Sequence, residues 1–287
     1  MKRIIGIFLI FSMLFAFVGC ARVSIYYNDS EYYTAGNVTV ESSVISIDIE
    51  WLSGQVDIVV GTGEFITVSE EYPEELPEDE KLHYFLDGGV LRIKYAKSGV
   101  VDIKEKAKKL TVCVPEGLAL SNIDVDSVSA AVNVGNVDTN NLEIASVSGN
   151  ITVSSLLSLD DLEIESVSGN VVLTLLEADK LAVETVSGGV SVNASYVKET
   201  SIDSTSGAVS FMTERPADDC DVDTVSGGVE LYIPSDADFS FDFDTLSGNF
   251  ESEFEFEKRG DKYYSGNGIN RYAVDTTSAN VKIYKKD

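Results

Sequence analysis

The side chains spaced to do chemistry in this chain are hydroxyls and carboxylates that return every 19 to 21 residues. A serine followed by a small residue stands at Ser129, Ser148, Ser168, Ser187, Ser206, Ser226, Ser247 and, after a longer interval, Ser278. Two positions before each lies a second hydroxyl: Ser127, Ser146, Ser166, Thr185, Ser204, Thr224, Thr245 and Thr276. A row of nucleophiles is one reading, but a catalytic serine is singular and needs a base, and the chain holds one histidine, His83. Stacked hydroxyls suit a structural role instead, bonding up and down a ladder of strands. Phosphate loops, dinucleotide fingerprints and zinc spacings are absent from the sequence, so no cofactor is expected.

The carboxylates are as regular. Three positions before the serine stand Asp126, Glu165, Glu184, Asp203, Asp223, Asp244 and Asp275, with Ala145 breaking the column; a second column holds Asp124, Glu143, Glu163, Asp221 and Asp242. Like charges at strand spacing repel by roughly 1 kcal/mol per neighbouring pair in water. Two readings stand: a solvated face that discourages lateral sheet pairing, or a strip that binds a divalent cation or a polycation. With 48 acidic against 21 basic residues the formal charge is −27, which excludes phosphate-backbone recognition of nucleic acid.

These columns require an element that repeats. Apolar residues alternate with polar ones on both sides of each Ser-Gly, as in LEIESVSGNVVL (162–173), which predicts two short strands per unit. Four positions before the serine the column reads Val125, Ile144, Ile164, Val183, Ile202, Val222, Phe243, Val274; three after it, Val132, Ile151, Val171, Val190, Val209, Val229, Phe250, Val281. Glycine follows the serine everywhere except at Ala130 and Ala279, as at a corner where a Cβ is crowded or φ is positive. A coil of about 20 residues returns to the same place about 4.8 Å along an axis, so the prediction is all-β: one β-solenoid domain, parallel β-helix-like, capped at both ends.

Residues 1–19 carry Lys2, Arg3 and an apolar run, then Cys20. This is a secretory signal, and its end, Phe17-Val18-Gly19-Cys20, resembles a bacterial lipobox, with Phe17 in place of the usual aliphatic residue. That resemblance implies lipidation of Cys20 and anchoring at a membrane surface. Residues 20–40 read as a polar tether, 41–122 as an N-terminal β region containing a first coil and a cap, and 123–287 as the repeat solenoid with a cap excursion at 251–272. The first coil is ISIDIEWLSGQVDIVV (45–60), which fits the repeat template; residues 101–110 fit either a lysine-rich helix or a strand. His83 reads as a solvated or capping residue. Cys113 and Cys220 fall about five coils apart, beyond the reach of a disulfide, and are read as small buried thiols. Arg259-Gly260-Asp261 is a cell-attachment tripeptide in some host ligands and is taken as a chance occurrence.

The run KLTVCVPEGLALSNIDVDSVSAAVNV (109–134), the serial VSG units and SGNGINRYAVDTTSANVKIY (265–284) resemble the bacterial adhesin-type β-strand-repeat family, domain of unknown function 4097. The resemblance implies a β-solenoid in envelope-associated proteins, some linked to adhesion or envelope-stress sensing, and implies no catalytic residues. The expectation is a non-enzymatic, lipid-anchored cell-envelope surface protein, an adhesin or binding scaffold, whose partner is a protein, a cationic peptide or a glycan. The alternatives are an envelope-stress accessory lipoprotein and a polysaccharide-cleaving β-helix, which would need clustered acids in a groove between long loops.

Overall fold

The computed structural model describes residues 23–101 and 106–287. The predicted signal and Cys20 lie outside the described residues. Among these residues no helix is long and apolar enough to cross a membrane.

Each unit contributes one strand to each of two sheets. Thr139–Ser146 pairs in parallel with the strand before it in space, Leu120–Ser127, and with the one after, in register, so that Ile144 faces Val125 and Ile164. Both apolar columns point between the sheets, and Val125, Ile144, Ile164, Val183, Val132, Ile151 and Val171 are fully buried. Each such side chain contributes about 1.5–3 kcal/mol. Three long strands, Ile151–Ser166, Val171–Thr185 and Val190–Ser204, bend from one sheet into the other round the far corner. The fold is the predicted β-solenoid.

The Ser-Gly corner differs in detail from expectation. The column of Ser127, Ser146, Ser166, Thr185, Ser204 and Thr224 does not bond along the ladder. Each hydroxyl turns into its own corner: Ser166 Oγ donates to Gly169 O at 2.8 Å, and Ser146 Oγ donates to Gly149 O while accepting from Gly149 N at 3.0 Å. A carbonyl three residues on is simply nearer than the next coil's hydroxyl. The exposed serines supply the ladder instead, Ser148 Oγ donating to Val128 O and Ser168 Oγ to Val147 O. The corner glycines are needed for space and not for φ: a Cβ on Gly169 would lie 1.9 Å from Gly149 O.

Chain order and spatial order part at both ends. The last strands in sequence, Asn270–Thr276 and Val281–Lys286, are threaded inward, between Asp219–Thr224 and Phe239–Thr245 on one sheet and between Val229–Pro234 and Phe250–Ser252 on the other. The first coil is treated alike: Ser46–Trp51 lies between Val90–Lys94 and Leu120–Ser127. The excursions therefore do more than cap. The hairpin Glu257–Arg259 and Lys262–Ser265 covers Phe239–Thr245 antiparallel, over an aromatic cluster of Phe241, Phe250, Phe256 and Tyr263.

The expected tether is packed from Val23 onward. Val23–Ile25 pairs with Gly99–Val101, Val38–Val40 pairs with Ile66–Glu71, and the tilted rings of Tyr27 and Tyr33 lie 4.7 Å apart beside Phe85. Its tyrosines are amphipathic, so Tyr27 and Tyr33 half-bury their rings while Tyr26 and Tyr32 stay exposed. Lys108–Pro115 is a strand, which settles that part of the ambiguous segment. His83 is buried, with Nδ1 2.9 Å from Lys81 O, so it is not a solvated residue. Both described cysteines are free; Cys220 is buried, which pushes its thiol up, whereas Cys113 is only half-buried.

Candidate functional site

The two acidic columns fall on the outer surface of one sheet. In space the first reads Glu50, Asp126, Ala145, Glu165, Glu184, Asp203, Asp223, Asp275, Asp244, and the second begins Asp48, Asp124, Glu143, Glu163. The inward threading of the last strand places Asp275 between Asp223 and Asp244, so the permuted coil order leaves the column unbroken there. All seven predicted positions share this surface, and Glu50 and Asp48 extend it.

Basic side chains pair with both columns at one end and with the second column at the other. Lys94, nearly buried, sits 2.7 Å from Glu50 and 3.2 Å from Asp48. Arg271 bonds Asp219 at 2.6 Å and Asp221 at 3.3 Å, and Lys262 lies 3.2 Å from Asp242. Between them Asp124, Asp126, Glu143, Glu163, Glu165 and Glu184 form no ion pair among the described residues. This stretch spans four coils, roughly 14 Å.

Partial burial and mutual repulsion both disfavour charge there. The Asp124 carboxyl is pushed up to about 7 by burial, then by Asp126, Glu143 and Asp48. Asp126 rises to about 6 through burial, then Glu50 and Asp48; Asp223 rises to about 6 through burial, then Asp203 and Asp221. Glu163, Glu165, Glu184 and Asp275 move upward for the same reasons. Protonation of these carboxyls is thus favoured relative to the ordinary carboxylate range, and an approaching cation would oppose it. No group of three or more His, Cys, Asp or Glu among the described residues is arranged to hold a metal ion; the carboxylates run in lines and do not converge.

Two features were not read from the sequence. Lys108 is fully buried, its ammonium 2.7 Å from Glu70, 4.1 Å from the Tyr95 ring and 5.0 Å from Trp51. Burial pulls the Lys108 ammonium down and Glu70 opposes that; the pair joins the N-terminal cap to the first coil. The signal for it was Trp51, which occupies the corner hydroxyl's position. The second feature is a groove of about 610 Å³ on the other sheet, floored by Ser191 and Ser210. The Arg259-Gly260-Asp261 tripeptide forms the exposed hairpin tip, where Gly260 adopts φ 65° and Arg259 is held by Glu257 at 2.6 Å.

Solved structures with similar arrangements include a candidate cell adhesion protein from Clostridium sporogenes, 13% identical over 88% of this chain and 100% of that one, at a TM-score of 0.25. A candidate lipid binding protein from Parabacteroides distasonis is 14% identical over 88% and 97%, at 0.47. A candidate adhesin from Parabacteroides merdae is 15% identical over 92% and 100%, at 0.44. No curated protein matches the chain. With a family pattern matching residues 42–284, nearly all of the solenoid, the chain belongs to the Toastrack DUF4097 family.

Proposed function

We propose that this protein is a non-enzymatic, lipid-anchored scaffold of the cell envelope whose acidic sheet docks a cationic partner. The observation that carries the reading is the stretch from Asp124 to Glu184 without ion pairs among the described residues, in which burial and then neighbouring carboxylates raise the proton affinity of Asp124, Asp126, Glu165 and Glu184. A basic segment laid along it would relieve roughly 1 kcal/mol of repulsion per neighbouring pair. Catalysis has little support: the corner hydroxyls are occupied by their own turns, and the carboxylates are linear where a hydrolase needs two converging on one bond. Anchoring through Cys20 rests on the lipobox resemblance and places the solenoid at a membrane surface.

Binding of an oligolysine peptide to the soluble domain tests the docking. Affinity should survive physiological salt and fall at least about tenfold, roughly 1.4 kcal/mol, in a Glu163→Gln, Glu165→Gln, Glu184→Gln variant. Equal binding by this variant refutes the docking. Separately, Cys20→Ser should move the full-length protein from the membrane to the soluble fraction.

The titrating carboxylates favour a second reading, envelope-stress sensing. Their protonation, and so the surface charge, changes between about pH 6 and 7. Peptide affinity that rises from pH 5.5 to pH 7.5 would support a sensor; a flat profile would leave the scaffold alone.

A further inference from the structure

The packing of residues 23–40 shortens the link between the solenoid and Cys20. A free tether of twenty residues would let the solenoid take any attitude to a membrane, but the chain is fixed to the fold from Val23, where Val23–Ile25 pairs with Gly99–Val101. Three residues reach at most about 11 Å. The segment then closes the N-terminal end of the stack: Tyr27 Oη donates to Ala96 O at 3.1 Å, and Thr34–Ala35 pairs with His83–Asp87 as the terminal strand of the acidic sheet. A lipid on Cys20 would therefore sit beside this end.

The two tyrosine doublets of the segment split in the same way. Tyr27 and Tyr33 pack, and Tyr33 lies 5.4 Å from Phe85. Tyr26 and Tyr32 face out, 78% and 61% exposed, Tyr32 resting one face of its ring on Phe85. A ring that is apolar on its faces and polar at its tip suits the boundary between acyl chains and headgroups. Ile45, whose N–H donates to Gly89 O, and Phe65, next to the strand Ile66–Glu71, are exposed in the same first coils. The far end is as apolar, Leu246 and Ile269 being 79% and 77% exposed, so exposure alone does not choose between the ends. The point from which the chain leaves the fold toward Cys20 does.

We propose that the solenoid stands end-on upon a lipid bilayer, with Tyr26 and Tyr32 seated at the level of the headgroups. The inference rests on the anchoring of Cys20 proposed above and adds to it an orientation and a direct contact with lipid. Asp29, Glu31 and the exposed Glu74, Glu75 and Glu78 of the same end oppose an anionic surface. The contact therefore draws on neutral headgroups. Lying flat on the acidic sheet would instead strip water from its carboxylates, whereas standing upright leaves both outer faces in water. Successive strand pairings lead from Thr34–Ala35 to the hairpin strand Glu257–Arg259. At strand spacing they hold that hairpin roughly 60 Å from the bilayer.

The test uses the mature full-length protein, purified from membranes and reconstituted into phosphatidylcholine vesicles that carry a nitroxide-labelled lipid as a quencher at headgroup depth. Trp51 is buried and shielded from the quencher, so exposed indoles are added singly, by Tyr32→Trp near the anchor and by Leu246→Trp at the far end. The expected result is loss of emission at position 32 and none at position 246. Tyr26→Glu should restore the emission at 32 while leaving melting temperature and co-flotation with vesicles as in the wild type. Phosphatidylglycerol added to the vesicles should weaken the quenching at 32. Any quenching at 246, none at 32, undiminished quenching in the Tyr26→Glu variant, or quenching that grows with phosphatidylglycerol overturns the proposal and leaves the anchoring intact. Protein that fails to float with the vesicles refutes the anchoring, and this inference with it.

Discussion

The two sheets of the solenoid share one core and one repeat, yet their outer surfaces are opposites. On the acidic sheet one outward column is carboxylate upon carboxylate from Glu50 to Asp244 with Ala145 its one break, and the second mixes carboxylates with Ala182, Ser201 and Ala273. On the other sheet the outward column that runs through the groove varies freely: Thr152, Val172, Ser191, Ser210, Glu230, Lys282. Packing constrains both sheets equally from inside, so it cannot be the reason that one surface is uniform and the other is not. The acidic surface carries a repulsive cost from its stacked carboxylates that solubility alone would not require, and the variable one is interrupted by a run of small residues. The comparison separates what the repeat needs in order to stack from what each surface adds.

The largest effect should come from violating the shared interior. Val171→Asp puts a charge where no water reaches and should cost roughly 4 kcal/mol or more in denaturant unfolding, whereas Glu165→Ala on the acidic surface should be close to neutral. Equal losses would mean that inward and outward columns are misassigned. Next comes the contrast between glycine columns. Gly169→Ala, whose Cβ would meet Gly149 O, should cost about 2 kcal/mol. Gly189→Ala should lie within about 1 kcal/mol of wild type, on the stabilising side. The paired serines give a smaller difference: Ser166→Ala removes a buried corner bond worth about 1 kcal/mol, and Ser168→Ala, exposed, should cost a few tenths.

Smallest is the dependence on pH, because the acidic groups are half-exposed and screened. Asp124, Asp126 and Asp223 have folded-state proton affinities above their unfolded values. The folded chain then binds more protons than the unfolded one between about pH 4 and 7, so stability falls as pH rises through that window. Melting temperature should be higher at pH 5 than at pH 8, and Asp124→Asn should flatten the trend. An opposite slope would show that the columns are compensated.

The interior and the acidic surface were legible in the sequence because each is a column of one residue type at a fixed interval. The order of the coils was not. Val222, Val274 and Phe243 all satisfy the same apolar column, so the pattern is blind to whether residue 274 stacks beyond residue 243 or, as it does, between it and residue 222. The hydroxyl column was visible but its partner was not, since spacing cannot choose between Ser166 reaching a neighbouring coil and its own Gly169. Gly188 and Gly189 look alike as letters; only the position of the carbonyl behind each tells the required glycine from the dispensable one.

The claim that the acidic sheet is a cation-docking surface is met most directly by amide chemical-shift mapping of the soluble domain titrated with oligolysine at physiological salt. The account predicts saturable shifts along Thr139–Ser146 and at 161–166 and 180–185, with the groove residues of the opposite sheet unmoved. Shifts spread equally over both sheets, or none, would contradict it.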